Sequence, residues 1–160
     1  MNFPISNAGP LIALGRLNHL HLLPELFEQV IVPQAVFAEV TSKMELPGAV
    51  QLKEAAWLQT HVVQDTLGVE RLLFWLEQGE SEAIVLAQHF NSLLLMDERR
   101  GRTIATTMGL RVTGTVGILV TAKQHRLIPE VTPLLDMLIA DGIRISIDLY
   151  NEVRSLTGEI

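Results

Sequence analysis

Short, uncharged apolar runs alternate with longer helical patterns along this chain, and this alternation constrains the fold most. The clearest run, LLLM, occupies residues 93–96 and ends at Asp97. Similar runs occupy residues 3–6 and 30–32. These runs do not alternate between apolar and polar residues, a pattern typical of strands that are buried on both faces. Strands of this kind alternating with helices predict an α/β fold, a three-layer α/β/α sandwich around a central parallel sheet.

The remaining elements follow from periodicity and from the positions of proline and glycine. Further strands are predicted at residues 60–63 and 111–113, with a possible edge strand at 143–145. A loop is predicted at residues 65–68. Helices are predicted at residues 10–17, 33–42, 47–58, 68–76, 81–90, 98–108, 116–123, 129–140 and 148–156.

Length and composition favour one domain that spans residues 1–160. Apolar residues make up 48% of the chain, which excludes a disordered protein. The absence of cysteine excludes disulfides, thiolate–zinc sites and a cysteine nucleophile, and it fits a reducing compartment. The first residues lack the basic region of a signal peptide, and no apolar run approaches the ~20 residues that span a bilayer. We therefore expect a cytoplasmic protein without a membrane segment.

Ligands of parallel sheets bind outside the carboxyl ends of the strands, and two polar residues occupy such positions. Asp97 directly follows the run at 93–96, and Asn7 follows the first strand. Each has a structural alternative. Asp97 could cap the helix that begins at Glu98, and the Asn7 side chain could close a turn near Gly9. The sequence leaves both alternatives open.

Three glutamates are further candidates. Glu39 is the only charged residue between Glu28 and Lys43 and lies beside an apolar helix stripe. Glu80 and Glu82 lie at the start of a helix, where acids also stabilise the helix dipole. Residues two apart diverge on a helix, so the pair is not expected to share one ligand. Glu82 is the better candidate because it lies inside the helix.

A parallel sheet could gather Asn7, Glu39, Glu82 and Asp97 at one edge. Oxygen ligands that converge from separate segments are typical of Mg²⁺ or Mn²⁺ sites. A cation would also offset the repulsion between the carboxylates. We therefore expect a metal site formed by these residues, with Glu80 beside them. The five histidines have no zinc-binding spacing, and the chain has no nucleotide-binding glycine loop.

With 12 basic and 18 acidic residues, the chain has no overall attraction for nucleic acid. Any contact with RNA must therefore use a local basic patch. The candidates are Arg99, Arg100 and Arg102 after Asp97, and Lys123 in a second cluster, although a solvated helix face is the default interpretation. No aromatic residue accompanies these clusters in the sequence, so base stacking is not evident.

These motifs together resemble the PIN domain family, and within it a prokaryotic branch related to toxin–antitoxin nucleases. The resemblance rests on NAGPLIAL, AEV, GESEAIVLA, LLLMDERRGR and VTGTVGIL in this order, over residues 5–152. It implies an α/β/α sandwich and a Mg²⁺- or Mn²⁺-dependent ribonuclease whose site is a cluster of acids. Carried over, the acid positions fall on Asn7, Glu39, Glu82 with Glu80 beside it, and Asp97.

The resemblance further implies that Glu39, Glu82 and Asp97 hold the catalytic cations and that Arg99 or Arg100 binds a phosphate. It implies a homodimer and is compatible with a small antitoxin partner. The first motif departs from the family pattern, because Asn7 replaces an acid and Gly9 replaces a small hydroxyl residue. The alternatives are therefore a catalytically weak or inactive nucleic-acid-binding or scaffold protein and, third, a small-molecule phosphatase.

Overall fold

The structure is a computed structural model, and it describes residues 2–160. Five parallel strands form one sheet in the order β3-β2-β1-β4-β5. The strands are β1 (Ile5–Ser6), β2 (Val30–Pro33), β3 (Leu58–His61), β4 (Leu94–Leu95) and β5 (Val112–Thr113). Helices pack on both sides of the sheet, so the predicted α/β class with a central parallel sheet is confirmed.

Ten helices are found in the part of the chain that the structure describes. In chain order they are α1 (Ala8–Arg16), α2 (Leu22–Phe27), α3 (Gln34–Thr41), α4 (Ala49–Glu54), α5 (Thr66–Leu72), α6 (Gln78–Phe90), α7 (Arg99–Thr107), α8 (Thr115–Gln124), α9 (Thr132–Ala140) and α10 (Ile147–Thr157). Most lie within a few residues of their predicted positions.

Helices α5, α6 and α7 pack on one face of the sheet and enclose an apolar core with it. Ile5, Leu94 and Met96 point into this core from the strands, and Ile84 and Ala105 contribute from helices α6 and α7. All five side chains have no exposed surface. Because successive strand residues point to opposite faces, Leu95 and Ser6 point to the other face. Helices also pack on that side of the sheet, and α3 contacts α6 directly.

The connections change direction at β1. The chain moves from β1 to β2 and β3 on one side and returns to β4 and β5 on the other. Ile5 pairs with Leu94 and Ser6 with Leu95, and the Asn7 amide donates to the Leu95 carbonyl at 2.9 Å. This is the switch point at which ligands of open α/β sheets bind. The register places the residues that follow β1 and β4 side by side.

The structure adds one helix that was not predicted and lacks one strand that was. No element was predicted at residues 22–27, where helix α2 forms; it contains Pro24, which a first helical turn tolerates. Residues 143–145 do not form the predicted edge strand. Gly142, with a φ of 91°, ends α9, and Ser146 already caps α10. The Ile143 amide donates to the Leu138 carbonyl at 3.0 Å, so it closes the end of α9 instead of pairing with a strand.

The segment after β3 also differs from its prediction. Asp65 begins a helix rather than a loop, because its carboxylate accepts a hydrogen bond from the Gly68 amide at 2.9 Å. Helix α5 ends at Leu72 instead of continuing to Leu76. Trp75 therefore lies in a turn, with its amide bonded to the Leu72 carbonyl.

The chain divides into two compact units, the first ending at Thr115 and the second spanning Val116–Ile160. The whole sheet belongs to the first unit. In the second unit, Glu159 accepts hydrogen bonds from the Val131 and Thr132 amides and pairs with Lys123 at 2.7 Å. These donors hold the pKa of Glu159 far below its usual range, although burial opposes them. No helix within residues 2–160 combines the length and apolar character that a membrane span requires.

Candidate active site

Asp97 lies at the carboxyl edge of the sheet, where its carboxylate is exposed to solvent. Its Oδ1 accepts a hydrogen bond from the Thr115 amide at 2.7 Å, and its Oδ2 accepts one from the Thr115 hydroxyl at 2.6 Å. Asp97 does not cap helix α7. That role belongs to Glu98, which accepts bonds from the Arg100 and Gly101 amides. Asp97 is thus fixed in orientation by the first residue of α8, and it does not serve the start of α7.

Asn7 lies beside Asp97 at the end of β1 and is 7% exposed. It is the N-cap residue of α1, yet its side chain makes no capping hydrogen bond. The turn-closing alternative is therefore not realised. A Cβ atom on Gly9 would lie 3.4 Å from the Asp97 Cβ atom and 3.5 Å from its Oδ2. The α1 backbone at Gly9 thus packs directly against Asp97.

Glu39 reaches the same region from α3, where it lies next to Gly79 of α6. A Cβ atom on Gly79 would lie 3.4 Å from Glu39 Oε1 and 3.8 Å from Asn7 Oδ1. The two oxygens therefore face one point above the start of α6. Partial burial raises the pKa of Glu39, and the nearby Glu77 carboxylate raises it further. Glu39 remains exposed, so solvent screens part of this effect.

Glu82 lies on the side of α6 that faces α3. Its Oε1 accepts a hydrogen bond from the Ala35 amide at 3.4 Å, and its Oε2 accepts one from Gln78 at 2.5 Å. Ala35 lies one helical turn before Glu39, so Glu82 and Glu39 lie along the same stretch of α3. The Ala35 and Gln78 donors hold the Glu82 carboxylate near the first turn of α3.

Hard divalent cations bind oxygen ligands. Side-chain oxygens of this chemical type are supplied by Asn7, Glu39, Glu82 and Asp97. Mg²⁺ binds through one or two carboxylates and completes its shell with water and substrate phosphates, so it does not need a full protein cage. Within residues 2–160, no three acids or histidines are arranged closely enough to form such a cage by themselves. The donor types therefore suit a divalent cation, but within residues 2–160 the structure does not bring three of these carboxylates together on one ion.

Glu80 points away from this group and toward α7. Its Oε1 accepts from the Glu77 amide at 3.3 Å, which completes a capping box at the start of α6. Its Oε2 is buried without a donor, and a Cβ atom on Gly101 would lie 3.4 Å from it and 3.3 Å from Glu98 Oε2. Burial, with a hydrogen bond to Glu98, raises the pKa of Glu80 to about 7. The pKa of Glu98 is lowered instead, so Glu80 is the group of the pair that keeps a proton up to about neutral pH.

Glu80→Gln is expected to raise Tm at pH 8 and leave it unchanged at pH 4.5. Between pH 4.5 and about 7 the folded protein keeps a proton on Glu80 that the unfolded chain releases, so wild-type stability falls as pH rises through this window. Glutamine keeps the capping bond and removes the titration. We expect a gain of roughly 1–2 kcal/mol, or about 2–6 °C, at pH 8 after allowing for screening.

Thermal unfolding in EDTA across pH 4.5 to 8 measures this effect. Glu54→Gln, at an exposed position near the end of α4, is the matched control and should keep the wild-type pH profile. If Glu80→Gln shows the wild-type profile as well, Glu80 does not hold this proton.

The basic residues after Asp97 lie at different places. Arg102 donates to the Met96 carbonyl at 2.9 Å and therefore supports the backbone that leads to Asp97. Arg99 and Arg100 are exposed at the start of α7. Both line a groove together with Trp75. The expectation that no aromatic residue accompanies these arginines is therefore wrong.

Lys123 lies in the second unit. Its ammonium donates to the Thr157 carbonyl at 2.6 Å and to Glu159 at 2.7 Å. The Glu159 carboxylate thus already neutralises the Lys123 charge.

Three residues of this region were not singled out from the sequence. Glu77 and Trp75 lie in the connection before α6, and Gly79 lies inside that helix. The Glu80 half of the capping box has a readable signal, but Glu77 does not, because the usual pattern begins with Ser or Thr. Trp75 and Gly79 have none, since their roles depend on contacts with α7 and α3.

Comparison with known proteins identifies the family of this chain. The model of the family described as DUF3368, PIN domain, matches residues 3–159. No curated protein and no solved structure is similar enough to this chain to match it. The family match extends over both compact units and over all the strand-end motifs described above. The chain therefore belongs to the PIN domain family.

Proposed function

We propose that this protein is a Mg²⁺- or Mn²⁺-dependent ribonuclease that hydrolyses RNA phosphodiester bonds. Members of the PIN domain family are generally metal-dependent nucleases. The observation that carries the proposal for this chain is the position of Asp97. Its carboxylate is exposed, oriented by two bonds from Thr115 and adjacent to Asn7 and Gly9 at the switch point of the sheet.

Under this proposal Glu39, Glu82 and Asp97 hold the cation, and Asn7 adds a neutral amide oxygen. Glu80 stands beside them in the sequence but faces Glu98. A bound divalent cation supplies charge neutralisation at the phosphate and a more acidic water. Thr115 keeps the Asp97 carboxylate in a fixed orientation, which lowers the cost of reorganisation during the reaction. Arg99 and Arg100 bind phosphates of the substrate through charge-assisted hydrogen bonds.

The test is cleavage of a single-stranded RNA oligonucleotide by the same protein with EDTA, Mg²⁺ or Mn²⁺. We expect cleavage with either cation and none with EDTA. Ca²⁺, which accepts oxygen ligands at longer distances, serves as a comparison cation. Equal cleavage rates in EDTA and in Mn²⁺ would overturn the assignment.

A toxin of a toxin–antitoxin pair is the narrower form of this proposal. It rests on the family resemblance of GESEAIVLA and LLLMDERRGR, and it includes a cytoplasmic homodimer of one PIN domain, residues 1–160, with an antitoxin as partner. Co-expression with the product of a neighbouring gene tests it. Growth arrest that the neighbour relieves would support the toxin role, and unimpaired growth on strong expression would contradict it.

Asn7 and Gly9 favour a second candidate, a PIN-fold protein that binds nucleic acid with weak or no catalysis. A neutral amide at the end of β1 removes one negative charge from the site, and Gly9 removes the hydroxyl of the family pattern. The two candidates differ in one measurement. RNA binding without Mn²⁺-dependent cleavage would select the second candidate.

A further inference from the structure

The structure exposes a tryptophan in a groove that basic side chains line. Trp75 is 62% exposed. The groove has a volume of about 790 Å³ and lies between Arg71 of α5, Trp75 in the following turn, and Arg99, Arg100 and Thr103 of α7. We call it the Trp75 groove. All of its residues belong to the first compact unit.

The backbone around Trp75 is fixed at both ends of the residue. The Trp75 amide donates to the Leu72 carbonyl at 2.9 Å. Its carbonyl accepts a hydrogen bond from the Arg100 guanidinium at 3.4 Å. The exposed indole thus stands on a closed turn, and the Arg100 bond ties that turn to α7. A large aromatic surface kept in water in this way indicates a binding surface.

The charge of the groove is positive. Three arginines line it, and within residues 2–160 none of them lies at ion-pair distance from an acid. Glu98 is the acid in the groove, but its carboxylate accepts hydrogen bonds from the Arg100 and Gly101 amides. The guanidiniums of Arg71, Arg99 and Arg100 are therefore available to an anionic ligand, although the chain as a whole is acidic.

The groove also leads to the candidate active site. Glu98 directly follows Asp97 in the chain. A second depression of about 480 Å³ shares Trp75, Glu98 and Arg100 with the groove and includes Glu77. Glu77 is the N-cap residue of α6, the helix that carries Glu82. A ligand in the Trp75 groove would therefore lie beside the residues that the proposed reaction uses.

We propose that the Trp75 groove binds single-stranded RNA next to the cleavage site, with a base stacked on Trp75 and the neighbouring phosphates on Arg99 and Arg100. A flat aromatic surface beside guanidiniums matches a nucleotide chain, since every base has a face that stacks and every linkage carries a charge. Arg71 extends the phosphate-binding side of the groove. This proposal rests on the proposed ribonuclease function, because it places the substrate of that reaction.

Binding is measured with a single-stranded RNA oligonucleotide in EDTA, so that cleavage does not interfere. Trp75→Ala is expected to weaken binding by about 5- to 150-fold, the range for loss of one base–aromatic stack. The dependence of affinity on salt should not change, because no charge is lost. Trp57→Ala, at the other tryptophan of the chain, is the matched control and should bind as wild type.

The double variant Arg99→Ala/Arg100→Ala is expected to weaken the electrostatic contribution to RNA binding. Each lost phosphate contact should lower the salt slope for a single strand by ~0.7. An oligonucleotide with abasic residues offers phosphates without bases. On this ligand Trp75→Ala should bind as well as wild type, whereas the double arginine variant should still bind more weakly.

A direct readout uses Trp57→Phe, which leaves Trp75 as the single tryptophan. RNA should quench its fluorescence, and the abasic oligonucleotide should not. Equal RNA affinity for Trp75→Ala and wild type would overturn the proposal. Loss of self-association in Trp75→Ala with unchanged RNA affinity would assign the surface to a protein interface instead. Because binding is measured without metal, failure of Mn²⁺-dependent cleavage would not affect this result.

Discussion

Asp97→Asn is expected to lower the rate of RNA cleavage at saturating Mn²⁺ by at least about 100-fold while Tm stays close to the wild-type value. At ~4 Å and an effective dielectric near 20, one charge pair corresponds to about 4 kcal/mol before screening. About two thirds of that value, roughly 2.7 kcal/mol, corresponds to a 100-fold change in rate. The substitution removes the charge and keeps the shape of the side chain.

The fold should tolerate this change because the partners of Asp97 can adapt. The asparagine Oδ1 still accepts the Thr115 amide, and the Thr115 hydroxyl can rotate to accept from the new NH₂ group. Asp65→Asn is the matched control, since Asp65 is another exposed aspartate that accepts a backbone amide and it is not one of the proposed cation ligands. A wild-type cleavage rate for Asp97→Asn would remove Asp97 from the mechanism.

Asn7→Asp is expected to have opposite effects with and without metal. Without metal the new carboxylate lies near Glu39 Oε1, because both oxygens face Gly79. The repulsion should lower Tm. With saturating Mn²⁺ most of that loss should return, because binding to the native state adds RT ln(1 + [L]/Kd) of stability. We expect the Kd for Mn²⁺ in calorimetry to fall more than tenfold, since a fraction of ~4 kcal/mol is sufficient.

Asn151→Asp, on the exposed side of α10, is the matched control for net charge. It should leave both Tm in EDTA and the Kd for Mn²⁺ at their wild-type values. Equal Mn²⁺ affinity in Asn7→Asp and wild type would show that residue 7 is not part of the cation site. The proposed function would then need its ligands from Glu39, Glu82 and Asp97 alone.

The strand ends were predictable from the sequence because burial of a parallel sheet leaves a clear signal. The run before Asp97 and the short strand before Asn7 are apolar without alternation, and parallel pairing then brings their carboxyl ends to one edge. Helix α2 was missed because Pro24 lies in its first turn. The strand at 143–145 was predicted wrongly because β-branched residues also occur between two closely spaced helix ends.

The surroundings of the site were less predictable, because they depend on contacts between distant segments. The proton that Glu80 keeps beside Glu98 requires α6 to approach α7, and Gly101 makes room for that approach. Arg100 reaches the Trp75 carbonyl across 25 positions of the chain. The hydrophobic periodicity of the sequence contains no information about such a contact. A prediction from residue types alone therefore found the acids but not the aromatic groove beside them.

The pairing of β1 with β4 determines when, during synthesis and folding, the candidate active site is completed. Ile5 pairs with Leu94, about 90 positions later, and contacts of such separation form slowly because a long loop must close first. A nascent chain that has been synthesised only through β3 can pair β1 with β2 but lacks Asp97. Under the proposed function, RNA near the ribosome meets a complete cleavage site only after β4 has inserted beside β1.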